Sequence, residues 1–229
     1  MPTIAENITE TRRRIKLAAR RAGRDPGGIE LLVVTKNVDE AKAVEAVEAG
    51  VASLGESRVQ EARRKYKIIG ARAKWHMIGP LQTNKAKYCP GLFTLIHSAD
   101  RLDLIRELDR RSGSANVITE ILLQVNISGE SQKAGCRPAD TAPLLKEASR
   151  LLNVKVSGLM TVPPYNEDPE ASRPYFKELM SLKNDLDALG IDRVSLSEIS
   201  MGMTGDFEVA VEEGATIVRI GSAIFGERV

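Results

Sequence analysis

Leu31-Leu32-Val33-Val34-Thr35-Lys36-Asn37-Val38-Asp39-Glu40 decides the reading of this chain. A short apolar, β-branched run closed by polar turn residues reads as a buried parallel strand. The strand reaches its carboxyl end at Lys36, and a helical pattern begins at 39. The same strand-then-helix unit recurs to the C-terminus. Strands are predicted near 30–36, 51–55, 74–78, 93–97, 118–126, 154–159, 194–199 and 216–220. Helices are predicted near 39–49, 57–67, 82–87, 100–111, 139–152, 169–189 and 206–213. Thr3-x-x-Glu6 is a capping-box pattern, and Gly23 closes the helix it starts, so a further amphipathic helix precedes the first strand. Ser57-x-x-Gln60 reads as a second capping box. Asp168-Pro169 reads as an N-cap followed by proline at the first helical position. Gly50, Gly190 and Gly214 stand where helices should stop.

Strict alternation implies a parallel sheet, and eight units favour closure into a (β/α)8 barrel of the TIM type. The 229 residues suit one such domain, and no linker or composition shift divides 1–229. An open Rossmann-like sheet is the alternative, but no G-x-G-x-x-G follows the first strand.

Composition narrows the function classes. The net charge of +2 supplies no global field for nucleic acid, and Arg12-Arg13-Arg14 and Arg20-Arg21 read as a solvated helix face. Two separated cysteines and two histidines give neither a disulfide framework nor a zinc site, so no metal is expected. No secretory signal or membrane span is legible. A cytoplasmic monomer, bound to neither nucleic acid nor membrane, is expected.

Barrel enzymes carry their chemistry where the strands end. Here those ends offer Lys36, Glu56, His76, Ser98, Asn126, Met160-Thr161, Ser200 and Arg219-Ile220-Gly221-Ser222. A lysine at a dry mouth loses its proton more easily and forms a Schiff base with an aldehyde. Gly221 lets backbone approach an anion, and Ser222, Ser200, Met201 and Gly202 supply donors. Amine and phosphate cradle together suggest pyridoxal 5'-phosphate (PLP). A sugar-phosphate substrate held by Lys36 is the alternative ligand.

The segments VVTK (33–36), GESRVQE (55–61), WHMIGPLQTNK (75–85), IHSADR (96–101), LLQVNISGE (122–130), GLMTVPP (158–164) and SEISMGMTGDFEVAVEEGATIVRIGSAIFG (197–226) resemble the PLP homeostasis protein family (YggS/PROSC type). That family has a barrel similar to the N-terminal domain of alanine racemase. The resemblance implies that Lys36 forms the Schiff base, that Ser200, Gly221 and Ser222 bind the phosphate, and that Arg219 faces the pyridine nitrogen. It places Asn126, His76 and Met160 around the ring. The family's usual GEN is GES at 55–57, so no asparagine contact carries over to position 57; its RIGT is RIGS at 219–222, which keeps the hydroxyl.

An arginine at the pyridine nitrogen does not readily give up or accept a proton, which keeps that nitrogen unprotonated and the electron sink weak. Racemases of this fold also use a tyrosine from a β-domain. The chain ends at Val229 without such a domain, and Tyr66, Tyr88, Tyr165 and Tyr175 carry no motif marking a base. The expectation is therefore a carrier that holds PLP and supplies it to PLP-dependent apo-enzymes, not an enzyme. An amino-acid racemase is the alternative.

Overall fold

In the computed structural model, which describes residues 2–226, the eight strands close into a parallel barrel in chain order. They are β1 (Glu30–Val34), β2 (Ser53–Glu56), β3 (Lys74–Met77), β4 (Leu95–Ala99), β5 (Thr119–Gln124), β6 (Val154–Met160), β7 (Glu198–Ser200) and β8 (Ile217–Ile220). Closure is the β1–β8 pairing, with Leu32 opposite Arg219. The helices are α1 (Ile4–Arg21), α2 (Glu40–Glu48), α3 (Val59–Ile69), α4 (Leu102–Ser114), α5 (Pro138–Ala148), α6 (Arg173–Asp187), α7 (Phe207–Glu212) and α8 (Ser222–Phe225).

The pleat divides the strand residues between two cores. Leu32, Leu95, Leu122, Met160 and Ile217 form one apolar cluster. Their neighbours Val33, Ile96, Ile121, Leu123, Leu159 and Val218 join the larger cluster that packs the helices on the barrel's outside. Gly158 is required where β6 meets β7, because a Cβ there would stand 1.7 Å from the Glu198 carbonyl oxygen.

Local signals account for most boundaries. Thr3 and Glu6 form the capping box that starts α1, and Asp168 caps a 3-10 turn over Pro169–Ser172. Three expectations are corrected. Ser57 does not cap α3; Arg58 is the extended N-cap residue, without a side-chain cap bond. Ile78 N–H bonds the carbonyl of Glu56, the last residue of β2, so the sheet holds the chain up to Ser57, and Arg58 is still extended (φ −133°, ψ 128°) before the first helical turn. The helix predicted over 82–87 is a 3-10 turn at Thr83–Tyr88. The helix predicted over 169–189 is split, with the 3-10 turn preceding α6, whose first turn carries Pro174. No helix among the described residues is long and apolar enough to cross a membrane.

Candidate functional site

A cavity of about 670 Å³ opens where β1, β6, β7 and β8 end. Val34, Lys36, Arg219, Gly221 and Ser222 line it, with Ile78, Thr204, Gly205 and the loop Pro164–Asn166. Lys36 reaches it because alternation continues past β1: Thr35 N–H still bonds the Gly55 carbonyl, at 2.9 Å. Val34 and Lys36 thus share one face and Thr35 takes the other. The expectation of a dry mouth is corrected, since Lys36 is exposed. Its ammonium makes no hydrogen bond or ion pair among the described residues.

The Met203–Asp206 turn forms one wall. Asp206 Oδ1 accepts from Met203 N–H at 2.7 Å, and Oδ2 accepts from Ser172 Oγ at 2.9 Å. Gly202 precedes it at φ 90°, with Phe207 and Ala210 so close that a Cβ would lie 2.5 Å from the Ala210 Cβ. Only glycine fits there.

Arg219 is buried and forms the floor. Its Nη2 donates to the Thr161 carbonyl at 2.8 Å and its Nη1 to Ser200 Oγ at 2.7 Å. Behind Ser200 a line of polar side chains continues through the barrel. Ser200 Oγ lies 2.8 Å from His97 Nδ1, His97 Nε2 lies 3.0 Å from His76 Nδ1, and His76 Nε2 lies 3.8 Å from Glu30 Oε1. Arg219 only donates, whereas the Ser200 hydroxyl can accept twice and donate once, so it takes the guanidinium bond and either gives to or takes from His97 Nδ1. Between the two imidazoles one nitrogen donates and the other accepts. Burial keeps both rings neutral: it lowers the His97 pKa well below the ordinary value and that of His76 to about 4. Burial also lowers the Arg219 guanidinium to about 10, so it stays charged at neutral pH.

The structure thus brings Lys36, Arg219, Gly221 and Ser222 to one cavity and leaves four other candidates outside its lining. Ser200 and His76 belong to the chain behind Arg219. Met160 packs in the inner apolar cluster. Asn126 organises its own loop: Nδ2 donates to the Glu130 carbonyl at 2.9 Å, and Oδ1 accepts from Gly129 N–H at 3.1 Å. Tyr165, which no motif marks as a base, stands on the cavity rim and is 88% exposed. Among the described residues no cluster of three metal-ligating side chains occurs.

Sequence reasoning missed His97, Asp206 and a buried group beneath Lys36. Lys65 is 1% exposed, and its Nζ donates to Glu56 Oε1 and Glu61 Oε1 at 2.8 Å each. Glu61 and Lys65 look like a solvated i,i+4 pair on α3. The available signal was their spacing with Ile69, which puts all three on the helix's buried stripe beside Ala62.

Comparison with known proteins converges on one group. The family model for the alanine racemase N-terminal domain matches residues 7–229. The pyridoxal phosphate homeostasis protein of Aquifex aeolicus (strain VF5) is 45% identical over 224 residues, 97% of each chain. That of Pseudomonas aeruginosa is 41% identical, covering 100% of this chain and 97% of the other. PipY of Synechococcus elongatus PCC7942, solved with PLP bound, superposes with a TM-score of 0.83 at 33% identity, covering 98% of this chain and 100% of that one. Alanine racemase of Clostridium difficile 630 shares the fold, with a TM-score of 0.76 at 14% identity over 99% of this chain and 57% of that one.

Proposed function

We propose, from the premise that this chain belongs to the family of the alanine racemase N-terminal domain and the pyridoxal phosphate homeostasis proteins, that it binds PLP in PLP homeostasis, holds it on Lys36 and supplies it to other proteins. Residues 1–229 act in this as one PLP-binding domain. The observation that carries the reading is the convergence of an uncommitted exposed amine, a buried cation and a glycine-serine turn on one cavity at the strand ends.

The residues fit the group. About 670 Å³ lies within the range of cofactor pockets. Nothing lies within 4 Å of where a Cβ on Gly205 would stand, so that wall has room. Thr204 and Ser222 add hydroxyls suited to a phosphate, beside the Gly221 backbone.

Bound PLP supplies an aldehyde that takes an amine as a Schiff base and a ring that accepts electrons. Lys36 supplies the amine. Arg219, which lines the same cavity, would hold the pyridine nitrogen through guanidinium N–H groups and, being a donor only, would leave that nitrogen unprotonated. The imidazoles behind Arg219 are neutral, and the guanidinium that stands between them and the cavity does not readily give up its own proton, so this line is poorly suited to protonate the ring. These residues retain the cofactor and do not drive α-carbon chemistry.

Reduction of the PLP-loaded protein with borohydride, followed by peptide mapping, tests the reading. It predicts a pyridoxyl adduct on Lys36. An adduct confined to another lysine contradicts it. Tyr165 on the rim favours a second reading, an amino-acid racemase with a tyrosine base. Under that reading Tyr165→Phe would abolish alanine racemisation; the carrier reading expects nothing to abolish.

A further inference from the structure

The two peptide units that flank Lys36 are both gripped by one buried cluster on the side of β1 away from the cavity. Lys65 Nζ donates to the Thr35 carbonyl at 2.5 Å and to Glu56 Oε1 and Glu61 Oε1 at 2.8 Å. All three of its hydrogens are thereby used. Thr35 Oγ1 donates to Glu56 Oε1 at 2.6 Å, and Asn37 N–H donates to Glu61 Oε1 at 2.6 Å. Val38 N–H closes a turn onto the same Thr35 carbonyl at 3.0 Å, with Asn37 at φ 57°, a left-handed conformation that asparagine tolerates.

The Thr35 carbonyl belongs to the peptide before the Lys36 Cα, and the Asn37 N–H to the peptide after it. Peptide units are planar, so holding both fixes φ and ψ of Lys36 and with them the direction of its Cα–Cβ bond. None of Lys65, Glu56 and Glu61 lines the cavity. Apolar residues of similar volume would fill the space between α3 and β1 without the desolvation cost of three ionisable groups. What they could not do is hold a carbonyl and an N–H on either side of one residue.

We propose that Lys65, bridged by Glu61 and Glu56, is a positioning residue that aims the Lys36 amine into the cavity. The proposal rests on the reading of Lys36 as the PLP-bonding amine. It also makes the two neighbouring lysines chemically distinct: Lys65 is shielded and fully bonded, Lys36 exposed and unbonded among the described residues.

The test uses the full chain and two probes. Pyridoxal, which lacks the phosphate, reports the rate at which the amine bonds an aldehyde, followed by absorbance and by borohydride trapping. PLP reports affinity. Displacing a reacting group by about 1 Å costs on the order of 100-fold, so Lys65→Met should slow adduct formation at Lys36 by about 10- to 100-fold. Glu61→Gln keeps an acceptor for Asn37 N–H but loses the charge, and should slow it by about 3-fold, a small fraction of that displacement cost. If Lys65→Met does not fold, the Glu61→Gln rate decides. In a Lys36→Ala background, Lys65→Met should leave PLP affinity unchanged, because positioning acts only through Lys36. Wild-type rates in both variants overturn the proposal. So does an equal loss of PLP affinity in the Lys36→Ala background, which would mark Lys65 as merely structural. A wild-type chain that forms no adduct on Lys36 fails at the earlier step and removes the premise instead.

Discussion

The two polar arrays of this barrel treat charge in opposite ways. Inside, behind Arg219, the line runs through Ser200, His97 and His76, and its side chains are neutral between the guanidinium and the partly exposed Glu30. Outside, beneath Lys36, a single cation is shared by two carboxylates with almost no solvent. The inner array holds a side chain, and a hydroxyl backed by two imidazoles suffices for that. The outer array holds backbone on both sides of a residue, which takes a central group with three donors. The amine and the guanidinium of one cavity are thus held by separate devices that can be broken separately.

The outer array should break with the largest effect. Lys65→Met leaves two carboxylates buried without their cation, and removing one partner of a buried pair costs about 3–5 kcal/mol. Urea unfolding of the apo-protein measures it. A loss below about 1 kcal/mol, the range of exposed pairs, would mean that water reaches the cluster.

The inner array should show itself in pH. The unfolded chain protonates an imidazole near its ordinary 6.5, folded His76 only near about 4. Between these values the unfolded state binds the proton that the folded state refuses. Stability is thus full above 6.5 and falls as pH drops toward 4, by on the order of 3 kcal/mol from His76. Glu56, whose carboxyl burial pushes up, acts in the opposite sense. Comparing wild type with His76→Gln/His97→Asn isolates the inner array. The double variant should lose less stability over that interval, and equal slopes would mean the imidazoles are not held neutral.

These arrays mark where the sequence stopped being legible. Eight apolar runs punctuated by glycine and proline gave the barrel, because each strand is buried on both faces and reads the same wherever it lies. Lys36, Arg219, Gly221 and Ser222 follow from the barrel's rule that function gathers at strand ends, reinforced by the family's motifs. His76 and His97 are 21 residues apart, and Lys65 is 30 from Thr35. Only closure of the sheet and packing of α3 bring these partners together. Ser200 shows the limit most plainly. It ends a strand, as a phosphate ligand should, yet its hydroxyl is buried and taken by Arg219 and His97.

A smaller effect separates Ser200 from Ser222. Ser222 is exposed to the cavity, so Ser222→Ala should weaken PLP more than pyridoxal by about 1.5–3 kcal/mol, the worth of a charge-assisted hydrogen bond. Ser200→Ala should weaken both ligands alike, through Arg219, and cost about 1–3 kcal/mol of stability from the partners left unpaired. Equilibrium titration with each ligand checks this. A PLP-selective loss in Ser200→Ala would show that its hydroxyl serves the phosphate after all.

The most direct test of a barrel that retains PLP without turning it on substrates is α-proton exchange. The PLP-loaded protein is incubated with L- and D-alanine in heavy water, beside free PLP at the same concentration, and deuterium at the α-carbon is followed by NMR. Exchange no faster than with free PLP is expected. Exchange about 100-fold faster, the scale of one positioned general base, and abolished by Lys36→Ala, would contradict it and make the protein an enzyme.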